Sequence, residues 1–414
     1  MIRQTFRSLA VRNYRLYFTG QVVSQAGTWM QTVAQDWLVL SLTGRALPVG
    51  ITTALQFLPV LLFGLWSGAL ADRWDKRRIL MLTQSTMAAL ALVLGGLAAA
   101  GAVRLWMVYL LALLLGCATA LDNPARQSFM SELVGPGDLP NAVALNSASF
   151  NLARIIGPSL AGIVIAAWGI APAFLLNAAS FGAVLAALAA LDRDAIVRQR
   201  PRPGARGGVV EGLRYAWSTE ELRAPLLLMA AVATLGINFR VVLPVLARFA
   251  FGGGPRDYGF LASLFAAGSL LGALATASRA EPSYRLMIGA AAAFGALALA
   301  AAAAPTLVWE GAALVPLGAA SITFLSTSNA LLQTRCAPEM RGRIMSLYAV
   351  LFLGSTPFGG GLVGWLSEVW GPRAGLYLAA ASGLGGAALA SWHRLPRKAA
   401  RPAPAGEGPA DHLP

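Results

Sequence analysis

Apolar residues run through this chain in long blocks, and polar residues collect in short breaks between them. A helix needs roughly 20 mainly apolar residues to cross the hydrocarbon core of a membrane. Twelve blocks meet that length: 17–41, 47–70, 79–100, 105–124, 141–167, 172–191, 225–247, 258–278, 286–304, 307–332, 344–368 and 374–392. The breaks hold helix stoppers such as Gly101, Gly135-Pro136, Gly252-Gly253-Gly254-Pro255 and Gly371-Pro372, as expected where a helix ends and the chain reverses. The pattern predicts an all-α polytopic membrane protein with twelve transmembrane helices.

One break differs from the rest. Residues 192–224 form an Arg-rich linker that divides the blocks six and six, and EGLRYAWSTEELR within it predicts a short amphipathic helix at the membrane surface. Shifting the sequence by about 200 residues places Trp370-Gly371 on Trp168-Gly169, Pro338 on Pro136, Gly359 on Gly157 and Gly364 on Gly162. The expected organisation is a six-helix half over 1–191, a cytoplasmic linker over 192–224, a second six-helix half over 225–392 and a tail over 393–414. The tail is Pro- and Ala-rich without periodicity, which predicts disorder. Paired halves imply a pseudo-two-fold axis, with a substrate path between them near mid-membrane.

Composition agrees: 57% of the 414 residues are hydrophobic and 12% are charged, against about a quarter in soluble domains. The net charge of +14 would fit a nucleic-acid partner were it not for where the charges lie. With the N-terminus placed inside, inner segments hold 25 of the 32 Lys and Arg residues. Outer loops hold only Arg45, Arg104, Arg248, Arg256 and Arg373, while Arg154 and Arg240 fall inside spans. The positive-inside rule therefore predicts both termini in the cytoplasm and removes nucleic acid as a partner; the expected location is the plasma (inner) membrane. The first residues have no apolar region ahead of a small-residue cleavage site, so no cleaved secretory signal is expected there. Cys117 and Cys336 read as free thiols. His393 and His412 both follow the last block, which leaves no His-based triad or metal cluster in the membrane. There is no G-x-x-x-x-G-K-[ST] loop for ATP, so the chain is not expected to be an enzyme or to need a cofactor.

Polar residues inside the spans are the candidate chemistry. Gln21, Gln25, Thr28, Thr32 and Gln35 recur at steps of four and three, so they share one face of the first helix. Such a stripe lines a cavity or a helix contact. Ser147, Asn151 and Arg154 share a face in the fifth block, with Arg154 about halfway through the membrane. A mid-membrane Arg needs a partner or water. Asp36 is the first expected partner and Asp122 the second. Arg240, following Asn238, is the corresponding cation of the second half, and two cavity cations would favour anionic or polar substrates; a structural ion pair is the other reading of each. Among the span carboxylates, Asp122 is placed to pair with Arg126 and Glu310 to reach the outer interface, which leaves Asp36 as the coupling candidate.

Two motifs carry a resemblance. GALADRWDKRR resembles the loop signature G-x-x-x-D-R-x-G-R-K between helices 2 and 3 of the major facilitator superfamily: Gly68, Asp72 and Arg73 match, Lys76 and Arg77 fit its basic positions, and Asp75 replaces a glycine. ARIIGPSLAG resembles the helix 5 antiporter signature of drug exporters, with Gly157, Pro158 and Gly162 matching and Ala153 and Ala161 in place of glycines. DNPARQSFMSELV and APEMRGRIMSLY look like the corresponding segments in the branch that holds enterobactin exporters and macrolide efflux pumps. The resemblance implies that Asp72 latches onto the start of helix 11, near Arg343 to Ser346, in the outward-open state; a plain topogenic loop is the alternative. It also implies that the first-helix stripe lines the cavity. Pro158 and its small neighbours predict a bent helix in close contact with span 8, at Gly268 and Gly272. The resulting expectation is a monomeric secondary transporter in the bilayer, working by alternating access and exporting an amphipathic small molecule on the proton gradient. The alternatives are an importer or lysophospholipid-type carrier, or a sensor or scaffold without transport.

The orientation is directly testable in a background lacking Cys117 and Cys336. A membrane-impermeant thiol reagent applied to intact cells should label Arg104→Cys and spare Arg206→Cys, and the reverse pattern would invert the assigned topology.

Overall fold

The computed structural model describes residues 5–135, 137–196, 209–279 and 281–392, without the side chains of Leu65, Ala69, Ala71, Asp72, Val209, Val210 and Leu353. The tail, linker residues 197–208 and the Asp72 side chain therefore lie outside the described residues, and the expectations placed on them with them. The first six helices are α1 (Arg12–Thr43), α2 (Leu47–Arg73), α3 (Lys76–Ala99), α4 (Leu105–Leu133), α5 (Leu139–Trp168) and α6 (Ala171–Ala189). After the linker helix α7 (Val209–Ser218) come α8 (Glu220–Ala231), α9 (Phe239–Val245), α10 (Pro255–Ala277), α11 (Tyr284–Ala302), α12 (Leu307–Arg335), α13 (Arg341–Gly354), α14 (Thr356–Val369) and α15 (Ala374–Trp392).

Among the described residues, eleven helical stretches are long and apolar enough to cross a membrane, with α8 and α9 falling in one stretch, Glu220–Ala250, and α13 and α14 in another, Pro338–Val369. The twelfth expected span, α1, is 32 residues long, ample for crossing. Its run of Gln, Thr and Asp residues keeps it out of the apolar set. That polarity is explained by burial: from Val33 to Leu40 every residue of α1 is buried by other helices.

The packing order repeats. In the first set α2 packs on α4, α3 on α4 and α6, and α1 on α5 and α6. In the second set α10 packs on α12, α11 on α12 and α15, and the Glu220–Ala250 stretch on α14 and α15. The sets meet chiefly along two seams, α5 against α10 and α2 against α14. These seams are the same contact under exchange of the halves, as a pseudo-two-fold axis requires.

Glycine lets both seams close. A Cβ on Gly50 of α2 would collide with the Gly360 carbonyl of α14, and one on Gly259 of α10 with the Pro158 carbonyl of α5. Gly162 faces Pro255 and Arg256, and Gly364 faces Ala46 and Leu47. Backbones approach this closely only where small residues meet. Helix 5 meets span 8 as expected, but the glycines named for the contact need correcting: Gly268 and Gly272 pack on α12, at Val315 and Ala319. Gly259, two turns earlier on the same helix, is what meets Pro158.

Both seams lie towards one end, where the connections at Gly44, Gly169, Gly254 and Gly371 gather. Arg45 adds an ion pair to Glu368 at 2.9 Å, and Glu368 also accepts from the Leu47 amide at 2.9 Å. The hydrogen bond to Glu368 raises the pKa of the Arg45 guanidinium above its ordinary value. The linker helix α7 docks by its inner face: Tyr215 Oη accepts from the Ala337 amide, Glu211 pairs with Arg343 at 2.7 Å, and Ala216 is buried with Leu222, Leu332 and Ile344. Leu213 and Trp217 remain exposed on its outer face.

Gly50→Ala should force α2 and α14 apart, an overpacking cost of about 1–3 kcal/mol. It is read as a lower melting temperature, while Gly64→Ala on the same helix, where nothing stands within 4 Å, leaves the melt unchanged. Equal melts for both variants would contradict the close seam.

Candidate functional site

A cavity of 430 Å³ lies between the two helix sets, beneath the closed end, a volume suited to a drug-sized ligand. Its wall is largely apolar and carries several rings, among them Trp29 on α1, Phe57 on α2, Phe150 on α5, Tyr258 and Phe265 on α10, and Phe352 on α13. Away from the closed end the wall becomes accessible, with Phe150 44% exposed. Arg154 and Arg240 are the charged residues among its described lining.

Arg240 reaches the cavity because its span is broken. Residues Val232–Gly236 wind as a π-helix, and Ile237 and Asn238 leave helical geometry before α9 begins. Such a break frees backbone groups where no water competes. The Asn238 side chain donates to the Thr234 carbonyl at 2.8 Å and satisfies one of them. The break turns Asn238 and Arg240 towards the cavity, a use of discontinuous membrane helices known from transporters.

Asp36 is fully buried and binds across the halves. One carboxylate oxygen lies 3.3 Å from Arg240 Nη2, and the other accepts from Tyr258 Oη at 3.0 Å. Arg240 Nη2 also donates to Gln56 at 3.2 Å, while Arg240 Nε is buried without a partner. The expected partner of Asp36 was Arg154; the structure pairs it with Arg240 instead, because the break brings α9 up beside α1 at the closed end. Asp122, the second expected partner of Arg154, accepts from Thr83 and Gln84 at 2.8 Å each and pairs with Arg126 at 3.4 Å.

Arg154 has no hydrogen-bond or ion-pair partner among the described residues; its guanidinium sits over the Trp29 ring, 5.6 Å from the centroid. A central charge costs at least about 2.5–3.5 kcal/mol on insertion scales. A cation–π contact returns about 0.5–2 kcal/mol. Trp29 offsets only part of that cost.

The helix 5 motif builds the seam. Pro158 has no amide to continue the ladder to Arg154. Next to this gap, Ser263 of α10 donates to the Ile155 carbonyl at 2.7 Å, with its hydroxyl 2.7 Å from that of Ser159. Gly157 meets Trp29 and Ala26 of α1, Gly162 meets α10, and Ala153 is buried. Asn151 bonds its own helix at Ser147 and does not line the cavity.

The α1 stripe divides. Thr32 lines the cavity. Gln25 instead bridges to α5 through Asn146 and Ser149, each at 3.4 Å. Gln21 and Gln35 are buried with their amide nitrogens unpartnered, and Thr28 is exposed and outside the lining. The cavity-lining expectation therefore holds at one of its five positions, since α1 is packed on several sides at once.

In the loop motif, Gly68 is unobstructed and Arg73 is exposed. Asp75 accepts from the Arg78 amide and caps α3, which accounts for the missing glycine: an N-cap carboxylate satisfies a free helix amide. Lys76 forms a buried ion pair with Glu132 at 2.8 Å, and Arg77 donates to the Leu188 carbonyl at 2.7 Å. These two basic residues hold α3 to α4 and α6. Glu310, in the first turn of α12, is fully buried, with no hydrogen-bond partner on either oxygen among the described residues.

Gln56, Tyr258 and the buried Gln31–Asn177 pair, 2.7 Å apart, escape the sequence reading. Their polar neighbours at helical spacing, such as Thr28 and Gln35 beside Gln31 or Thr52 and Thr53 beside Gln56, do not say which partner each one meets. Trp29 was recoverable, because Trp29, Thr32 and Val33 share one face at helical spacing.

Among curated proteins, the chain is 26% identical over 265 residues to the Staphyloferrin A transporter of Staphylococcus aureus, covering 63% of this chain and 66% of that protein, just under two thirds of its length. It is 28% identical over 365 residues to the multidrug efflux pump Tap of Mycobacterium tuberculosis, covering 85% and 86%. In fold it is similar to a bacterial homologue of the lysosomal transporter Spinster, solved inward-facing and unoccupied, with a TM-score of 0.70 at 15% identity over 91% of this chain and 93% of that one. The family described as Transmembrane secretion effector matches residues 3–410. Over almost its whole length, then, this multi-pass membrane protein belongs to that family of the major facilitator superfamily, whose members are transporters and not enzymes.

Proposed function

We propose that the protein exports amphipathic small molecules, such as drugs, macrolides or siderophores, across the plasma membrane by alternating access. The observation that carries this reading is the aromatic cavity between the halves, closed above by cross-half contacts and accessible below. It is supported by the names of the Staphyloferrin A transporter and of the Tap efflux pump. On this reading α1 is the twelfth span, both termini are cytoplasmic, and the conformation described is inward-facing. Transport then requires the seams of α5 with α10 and of α2 with α14 to open while the opposite end closes. A single chain encloses the whole path, so the working unit is a monomer in the bilayer.

The proposed driving force is the proton gradient, with Asp36 as the carrier. Its carboxylate joins the halves through Arg240 and Tyr258, so protonation removes the charge on one side of a cross-half ion pair. An uncompensated buried charge is costly, which ties the protonation state of Asp36 to the closed end.

Accumulation of a panel of antibiotics and siderophores in cells with and without the protein tests this. The expected result is lower accumulation of at least one compound, restored to the control level by a protonophore or by Asp36→Asn in protein that still reaches the membrane. Equal accumulation of every compound would sink export, while efflux that survives gradient collapse would remove proton coupling alone.

A further inference from the structure

The electrostatics of the cavity point to the charge of its occupant. Its described wall carries two guanidinium groups and no carboxylate. Asp36, which binds Arg240, is fully buried behind that wall and is committed to Arg240 and Tyr258. It offsets one of the two charges and leaves the site with a net charge of about +1. The uncompensated group is Arg154, half-buried, with a ring beneath it and no hydrogen-bond or ion-pair partner among the described residues. Arg240 also keeps a buried, unpartnered Nε.

We propose that the cavity takes a monoanionic amphipath, a carboxylate on an apolar, ring-bearing body, received by Arg154. The inference rests on the cavity being the transport site and specifies what that site selects. A carboxylate laid against a planar guanidinium forms short, charge-assisted hydrogen bonds, and a low-dielectric surround strengthens them. The occupant's rings meet Phe57, Phe150, Phe265 and Phe352, whose faces accept apolar surface without further polar demands. A cationic amphipath of the same size would bring a second unbalanced charge beside Arg154, and a neutral one would leave Arg154 as it stands. Arg154 is thus the specificity residue of the cavity, with Trp29 holding its guanidinium in place.

Three fluorescent probes that share one ring and differ in charge test the assignment: dansylglycine, its neutral glycinamide, and the cationic dansyl-ethylenediamine. They are titrated against the full chain in lipid nanodiscs. Dansylglycine should bind about tenfold or more tighter than the other two. Arg154→Gln should erase that preference by weakening dansylglycine more than the amide, and Arg154→Lys should restore part of it. Equal affinities, a preference for the cation, or an Arg154→Gln variant that weakens all three probes alike would overturn the assignment. If the amide still binds, or efflux persists in the accumulation assay, export stands and only the anion preference falls. Failure of all three probes to bind overturns the assignment too, and export is then decided by accumulation alone.

Discussion

A carboxylate and a guanidinium buried together between two helix bundles commit those bundles to one another, because neither charge is tolerated alone where water is scarce. Asp36 and Arg240 are such a pair, 3.3 Å apart, one on each half of the protein. Tyr258 and Gln56 complete the group by binding the remaining carboxylate oxygen and the guanidinium. The group sits above the cavity, so the contact that joins the halves also forms the roof of the site. Charge on Asp36, closure of one end and the polarity of the cavity are therefore aspects of a single arrangement.

The rest of the structure serves that arrangement through departures from regular helix. The break at Ile237 and Asn238 brings Arg240 to α1. Pro158 interrupts α5 beside the point where a serine from the other half binds its backbone, which turns a local gap into a cross-half contact. Gly50 and Gly259 lack the side chains that would hold the backbones apart. Both seams bring small residues into close backbone contact and add a few cross-half hydrogen bonds, such as those of Ser263 to Ile155 and of Leu47 to Glu368. Arg45 and Glu368 lie at the outer edge of the α2–α14 seam, where an exposed ion pair adds little stability and exchanges readily with water.

Much of the fold was legible in the sequence, because the length of apolar blocks and the placement of Lys and Arg are dictated by the bilayer. The first helix shows the limit: its polar residues keep it out of the apolar set, and they go to different surroundings, Gln25 to α5, Gln31 to α6, Thr32 to the cavity and Asp36 to the other half. Periodicity identifies the shared face of Gln25, Thr28 and Thr32; it does not say which neighbour each residue meets. The pairing of Asp36 failed for a related reason. Depth and the neighbouring spans pointed to Arg154, and the break that brings Arg240 within reach leaves no mark in the apolar pattern. Asp75 was visible as a departure from a family motif, yet its role follows from ordinary helix capping at the start of α3. Gln56 and Tyr258 bind Arg240 and Asp36 across the halves, a pairing that no spacing within one helix reveals.

The central claim is that the Asp36–Arg240 pair holds one end of the protein closed. The most direct test is the distance across that end, measured by double electron–electron resonance between spin labels at Leu42 and Trp370, both exposed and on opposite halves. In lipid, Asp36→Asn and Arg240→Gln should each shift the distribution towards longer separations relative to the labelled parent. Distributions that match the parent in both variants would contradict the account.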